Sequence, residues 1–327
     1  MTNLRTLDHL VVVNLDIHIW TARKKLTTAD LGGATLPPDD LASLGSKRIC
    51  NPEDLRTFGT LKARAVNLLE RSGIRFLSGW AVPDTKIDAI MKELAAIRDE
   101  FNEAKEAFLQ RYEESVRDWI AKHPQWSGII AGSVVSEEYV RSRLGFRWQV
   151  FQVAHPGTVD PAKKIDNLGD DIDQLGQTLF GEVAKAAAEA WTKCYAGKTE
   201  ITRKALSPLK SIHDKLMGLT FVEPRVAPVA ELLETAFRSI PRRGAIKGSM
   251  LIMLQGLVSL LQNPTALVEH GQMILDGRKN SHKVLESLFL QECAEQVVAE
   301  EEEAQGDQVP EMAAAQVPPV IESHGLW

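Results

Sequence analysis

The chain has little of what usually announces chemistry. Its 327 residues hold three cysteines, Cys50, Cys194 and Cys293, with no close pair. A disulfide framework and a zinc ribbon are therefore unsupported, and a reducing, cytoplasmic setting is expected. Long apolar runs are missing too. The longest, Met250 to Leu261, is interrupted by Gln255, Gly256 and Ser259 and is too short for a bilayer, so no membrane span is expected. Asp8 and Asp16 break the apolar N-terminal stretch, which lacks the order of a signal peptide. There is no phosphate-binding glycine loop, dinucleotide fingerprint, HExxH, GxSxG or CxxC, and no histidine pair at helical spacing to ligate a metal. No cofactor is expected, and the expectation leans away from an enzyme.

What is present reads as a soluble globular protein, 44% hydrophobic and 25% charged. The net charge of −6 is unevenly placed. Residues 300–327 contain seven acids and no Lys or Arg, which leaves residues 1–299 at +1. This tail cannot bury enough surface to offset its ordering entropy and is expected to be disordered.

The organisation follows from periodicity. Within "LVVVNLDIHIW", Val13, Leu15, Ile17 and Ile19 alternate with polar residues, the period of a half-buried strand. A long Gly- and Pro-rich connection follows, with a short helix beginning near Thr28. Asn51-Pro52-Glu53-Asp54 has the cap, proline and acids of a helix start, and that helix should run to Ser72 and stop at Gly73. In "GIRFLSGWAVPD" the even spacing of Phe76, Trp80 and Val82 suggests a short strand, with Phe76, Leu77, Trp80 and Val82 docking the joint on the core. Ile87, Ile90, Leu94, Ile97, Phe101, Ala104 and Phe108 then form a heptad seam continuing to Trp119, the mark of one helix ending near Pro124. A second seam runs Ile165, Leu168, Ile172, Leu175, Leu179, Val183, Ala186, Ala190 and Cys194. The two together predict a long antiparallel coiled-coil-like helix pair, packed internally or used for oligomerisation. Between them "GFRWQVFQVAHP" reads as a strand able to pair with the first. Helices are expected at 200–218, 227–239, 245–262, 265–276 and 281–299. The fold class is mainly α with a small antiparallel β-sheet (α+β). The divisions are 1–83, 84–199, 200–299 and the acidic tail 300–327.

Few clusters suggest a site. Ser207 and Lys210 match SxxK without its companion motifs, and Pro208 between them marks a helix start. Asp166, Asp170, Asp171 and Asp173 suit a helix N-terminus better than a cation loop. His213-Asp214 are helix neighbours, whose side chains are expected to diverge. Basic residues concentrate early in the chain. Arg23, Lys24, Lys25, Lys47, Arg48 and Arg75, with Trp20 and Trp80, are candidates for nucleic-acid or protein contact, because cations neutralise phosphates and rings stack on bases. Asp30, Asp39, Asp40, Glu53 and Asp54 are interleaved, and an ordinary mixed surface is the alternative.

The segments "LVVVNLDIHIWTARKKLT", "LGSKRICNPEDLRTFGTLKARAVNLLERSGIRFLSGWAVP" and "WIAKHPQW" resemble a bacterial family of phage, plasmid and integrative-element proteins. The resemblance rests on Lys-Lys-Leu, Gly-Ser-Lys and Arg-Phe-Leu-x-Gly-aromatic-Ala-Val-Pro in family order. It covers about the first half of the chain. It implies a working partner, a MoxR-type AAA ATPase or a von Willebrand A-type protein, and implies no known reaction. Two functions follow as expectations: a non-catalytic interaction or adaptor component of a mobile-element AAA ATPase system, or a nucleic-acid-binding accessory protein.

Overall fold

The structure is a computed structural model of the chain; it describes residues 4–31, 45–154, 168–241 and 243–287. The predicted acidic tail, Ile165, Asp166 and Cys293 lie outside the described residues.

After one helical turn, α1 (Leu4–Leu7), the alternating segment forms β1 (Leu10–His18). Two three-residue strands, β2 (Arg23–Lys25) and β3 (Ser46–Arg48), make a separate antiparallel ribbon. The short helix expected to begin near Thr28 is a 3-10 turn over Thr28–Leu31. Asn51 caps as predicted, accepting the Glu53 N–H on its side chain, and Pro52 opens a 3-10 turn that runs into α2 (Arg56–Ser72). The helix stops at Gly73 for a reason of space. A Cβ there would lie 2.6 Å from the Ala81 carbonyl oxygen, so only glycine lets the chain turn in beside the next strand.

A tight hairpin follows, β4 (Ile74–Phe76) and β5 (Gly79–Pro83). Phe76, Trp80 and Val82 are buried as expected. Leu77 is not: it sits at the hairpin turn with φ 51° and is 55% exposed. Next come α3 (Ile87–Gln110) and α4 (Tyr112–Lys122). The single helix expected up to Pro124 is thus broken at Arg111 (φ −105°, ψ 4°). Beside the break the buried Tyr112 donates its hydroxyl to the Val135 carbonyl at 2.9 Å. Two short helices, α5 (Ser127–Ala131) and α6 (Glu137–Arg143), lead into β6 (Gly145–Phe151).

The rest is helical apart from a two-stranded pair of β7 (Glu200–Ile201) and β8 (Ile246–Lys247). It comprises α7 (Leu168–Asp173), α8 (Leu175–Ala190), α9 (Ser207–Gly218), α10 (Val226–Ser239), α11 (Ser249–Leu261) and α12 (Pro264–Leu275), with 281–287 also helical. Among the described residues no single helix is long and apolar enough to cross a membrane.

The main sheet is antiparallel in the order β4-β5-β1-β6, and it divides the interior. Val12↔Phe151 through His18↔Gly145 is the register of β1 with β6, the pairing anticipated from sequence. Leu10 and Val12 of β1 enter a core with α8 to α12, whereas Val13 enters a second core with α2, α3 and α4. The fold is therefore mainly α-helical with a small antiparallel sheet.

This arrangement separates the two heptad stripes. Ile90, Leu94, Ile97, Phe101 and Phe108 belong to one core; Ile172, Leu175, Leu179, Val183 and Ala190 belong to the other. They do not meet as a coiled-coil pair, because each faces its own side of the sheet. The second stripe also slips by one residue, with Ala187 buried and Ala186 exposed. The apolar segment 250–261 lies in α11 and is largely buried, as its lack of a polar face requires.

Candidate functional site

Five of the predicted contact residues meet on the ribbon. Its register sets Arg23 opposite Arg48, Lys24 opposite Lys47 and Lys25 opposite Ser46. Cross-strand partners share a face and successive residues alternate. One face therefore carries Arg23, Lys25, Arg48 and Ser46; the other carries Lys24 and Lys47.

The two faces differ electrostatically. The Lys47 ammonium pairs with Asp30, and both side chains are only 13% exposed. Asp30 also accepts the backbone N–H and hydroxyl of Thr27 at 2.8 and 2.9 Å. The Lys47 hydrogen bond and then the Thr27 backbone bond lower the Asp30 carboxyl from 3.8 to about 2. Arg23, Lys24, Lys25 and Arg48 are exposed and make no ion pair with a described residue. Arg23 directly opposite Arg48 is an unfavourable like-charge pair that nothing within the ribbon relieves.

The root of the ribbon is rigid. Trp20, Ala22, Ile49 and Cys50 are all buried in the core of α2, α3 and α4. Trp20 lies 5.7 Å from the Tyr112 ring and 6.4 Å from that of Phe108. Ala22 adopts φ 53°, uncommon for a residue with a Cβ, while its carbonyl accepts the Ile49 N–H at 2.9 Å. Burial, and secondarily the Asp54 charge, push the Cys50 thiol up to about 12, so it is packing rather than a nucleophile.

Trp20 and Trp80 consequently cannot serve as stacking platforms, being 7% and 4% exposed. Arg75 and Trp80 belong to the β4–β5 hairpin instead of the ribbon. The Arg75 guanidinium lies 3.7 Å over the Trp80 ring and 3.8 Å from Glu70. The Arg75 backbone N–H donates to Glu182 at 2.9 Å, whose other oxygen takes the Lys215 ammonium at 2.6 Å. Lys215 also donates to the Glu70 carbonyl at 2.7 Å, capping the last turn of α2. This is a joint between α2, β4, α8 and α9, and it accounts for Arg75 without a ligand.

Sequence reasoning missed Trp119. Its indole N–H donates to the Arg48 carbonyl at 3.2 Å, fixing β3 against α4. Trp119 also lines a cleft of about 260 Å³ together with Asp54, Glu114, Asp118, Arg111 and Lys122. Nothing local in the sequence pairs residues 48 and 119. The only hint is that "ARKKLT", "GSKRIC" and "WIAKHPQW" all lie in the segments that carry the family resemblance, and here they converge.

The family described as "Protein of unknown function (DUF3150)" matches residues 7–263. The chain belongs to that family. The match takes in the ribbon, the main sheet and the helices as far as α11, so it extends well beyond the first half. No curated protein and no solved structure matches the chain.

The remaining candidates do not assemble a site. Among the described residues, no group of three or more His, Cys, Asp or Glu is placed to hold a metal ion. Ser207 and Lys210 are both exposed on the first turn of α9. His213 and Asp214 do touch, with Nδ1 3.2 Å from the carboxylate, contrary to the expectation that they diverge. The Nε2 of that ring is buried with no hydrogen-bond partner.

Proposed function

We propose that the protein is a non-catalytic accessory component that binds nucleic acid through the β2–β3 ribbon. The supporting observation is the set Arg23, Lys24, Lys25 and Arg48, exposed together without ion-pair partners on a root anchored in the core. Self-repulsion among these groups is relieved by an external polyanion, and phosphate neutralisation makes such binding strongly salt-dependent. Retention of the full chain on immobilised DNA should fall steeply with salt and vanish when the exposed Arg23, Lys24, Lys25 and Arg48 are reversed to Glu. No retention at low salt would sink the proposal.

A second reading is an adaptor for a MoxR-type AAA ATPase or a von Willebrand A-type protein of a mobile element. Its support is that Lys-Lys-Leu and Gly-Ser-Lys, part of the family resemblance, overlap the two ribbon strands. The long-arm argument for an adaptor is gone, since both heptad stripes are internal. A pull-down with neighbouring gene products, with and without ATP, checks this reading; recovery of neither partner removes it.

A further inference from the structure

We infer that the ribbon's ligand is double-stranded nucleic acid, held through its phosphates by one face only: Arg23, Lys25 and Arg48. This rests on the nucleic-acid reading above and narrows it.

The register does the sorting. On the Arg23 face, three cations and the Ser46 hydroxyl stand together with no acid among them. On the opposite face Lys47 is already committed to Asp30, so binding a phosphate there would first require breaking a partly buried ion pair. Lys24 then stands alone beside a neutralised group. Two arginines directly opposed, each with a planar donor fork, match phosphate oxygens in a way that ammonium groups do not.

The choice of duplex follows from where the rings are. Proteins that hold single strands combine cations with exposed aromatic platforms. Here neither ribbon strand carries an aromatic residue, Trp20 and Trp80 are buried, and the exposed Trp126 belongs to the turn after α4 instead of the ribbon. A two-stranded ribbon is also a shape that the major groove, about 12 Å wide, admits. On the α4 side the surface turns to mixed charge, Asp54, Glu114 and Asp118 with Arg111 and Lys122, so the purely basic patch ends there. The Ala22 carbonyl, accepting the Ile49 N–H at 2.9 Å, ties the two strands together at the root and limits the ordering cost at that end.

The test is fluorescence anisotropy of the full chain with a labelled duplex and with one of its strands, between about 50 and about 200 mM salt. Three phosphate contacts predict a slope of log affinity against log salt of about −2.7 on duplex. Arg23→Gln, Lys25→Gln and Arg48→Gln should each make that slope shallower by about 0.9, whereas Lys24→Gln, on the other face, should change it by well under half of that. Arg48→Lys should keep the slope while weakening binding. All these side chains are exposed, and an unchanged melting temperature separates lost contact from lost fold. Equal or tighter binding of the single strand, or a Lys24→Gln effect as large as that of Arg48→Gln, would overturn this inference while leaving nucleic-acid binding intact. Binding to neither form at low salt overturns both. Ribbon-dependent capture of an ATPase in that case would transfer the ribbon to the adaptor reading.

Discussion

The two cores on either side of the main sheet are built from different materials. The one holding α2, α3 and α4 is aromatic: Trp20, Phe58, Trp80, Phe101, Phe108, Tyr112 and Phe146, several of them in edge-on contact. The one holding α8 to α12 is chiefly Leu, Val, Ile and Ala. Edge-to-face ring pairs prefer particular geometries, so an aromatic layer fixes positions. An aliphatic layer accepts volume-conserving swaps more readily. The ribbon is rooted in the aromatic layer, where Trp20 and Ala22 are held, and that is the layer suited to aiming a surface site.

The strongest way to break the contrast is Phe101→Ala. Phe101 is 0% exposed, with ring centroids 4.9 Å from Phe58 and 5.6 Å from Phe146. A loss of about 3–5 kcal/mol in urea unfolding is expected, with loosened ribbon protection against hydrogen exchange. Leu254→Ala, equally buried in the other core, should cost about 2–5 kcal/mol and leave ribbon protection closer to wild type. Equal loosening by both would show that the layers do not differ in this role.

Next comes the link between the layers. Lys215→Met leaves the Glu182 carboxylate without its ammonium and frees the Glu70 carbonyl. About 3 kcal/mol of destabilisation is expected, and pairing it with Glu182→Leu should recover much of that loss. A single variant within 0.5 kcal/mol of wild type, roughly the scatter of surface substitutions, would show that the joint contributes nothing.

Smaller still is Arg75→Ala, which removes an exposed cation over the Trp80 ring and should cost about 0.5–1 kcal/mol. A larger loss would mean that this hairpin carries more of the aromatic layer than its exposure suggests. The smallest effect is on pH. The Asp30 carboxyl is lowered from 3.8 to about 2, so its pairing with Lys47 favours the folded ribbon above the ordinary value and is lost as pH falls through about 2. Asp30→Asn should therefore speed ribbon amide exchange at mild pH, with the difference from wild type narrowing below 3.8.

Local features were legible in the sequence because their causes are local. The β1 alternation, the Asn51-Pro52 start and the stop at Gly73 each depend on a few adjacent residues. Apolar residues at three- and four-residue steps identified the buried faces of α3 and α8. Such spacing says that a face is covered and not what covers it, so two stripes in separate cores read as partners. The same limit applies at the site. The cations of β2 and β3 were visible, but their sorting onto two faces needs the cross-strand register and the Asp30 contact. Trp20 and Trp80 beside basic residues look the same whether the rings face solvent or core.

The sheet as a shared wall also bears on how sequences of this family can drift in length. Val12 and Val13 are neighbours in the chain and occupants of different cores. One residue added within β1 would send every following side chain to the wrong layer and disturb both at once. Length variation among relatives should therefore spare β1 and gather between β2 and β3, which twenty residues, 26–45, already separate.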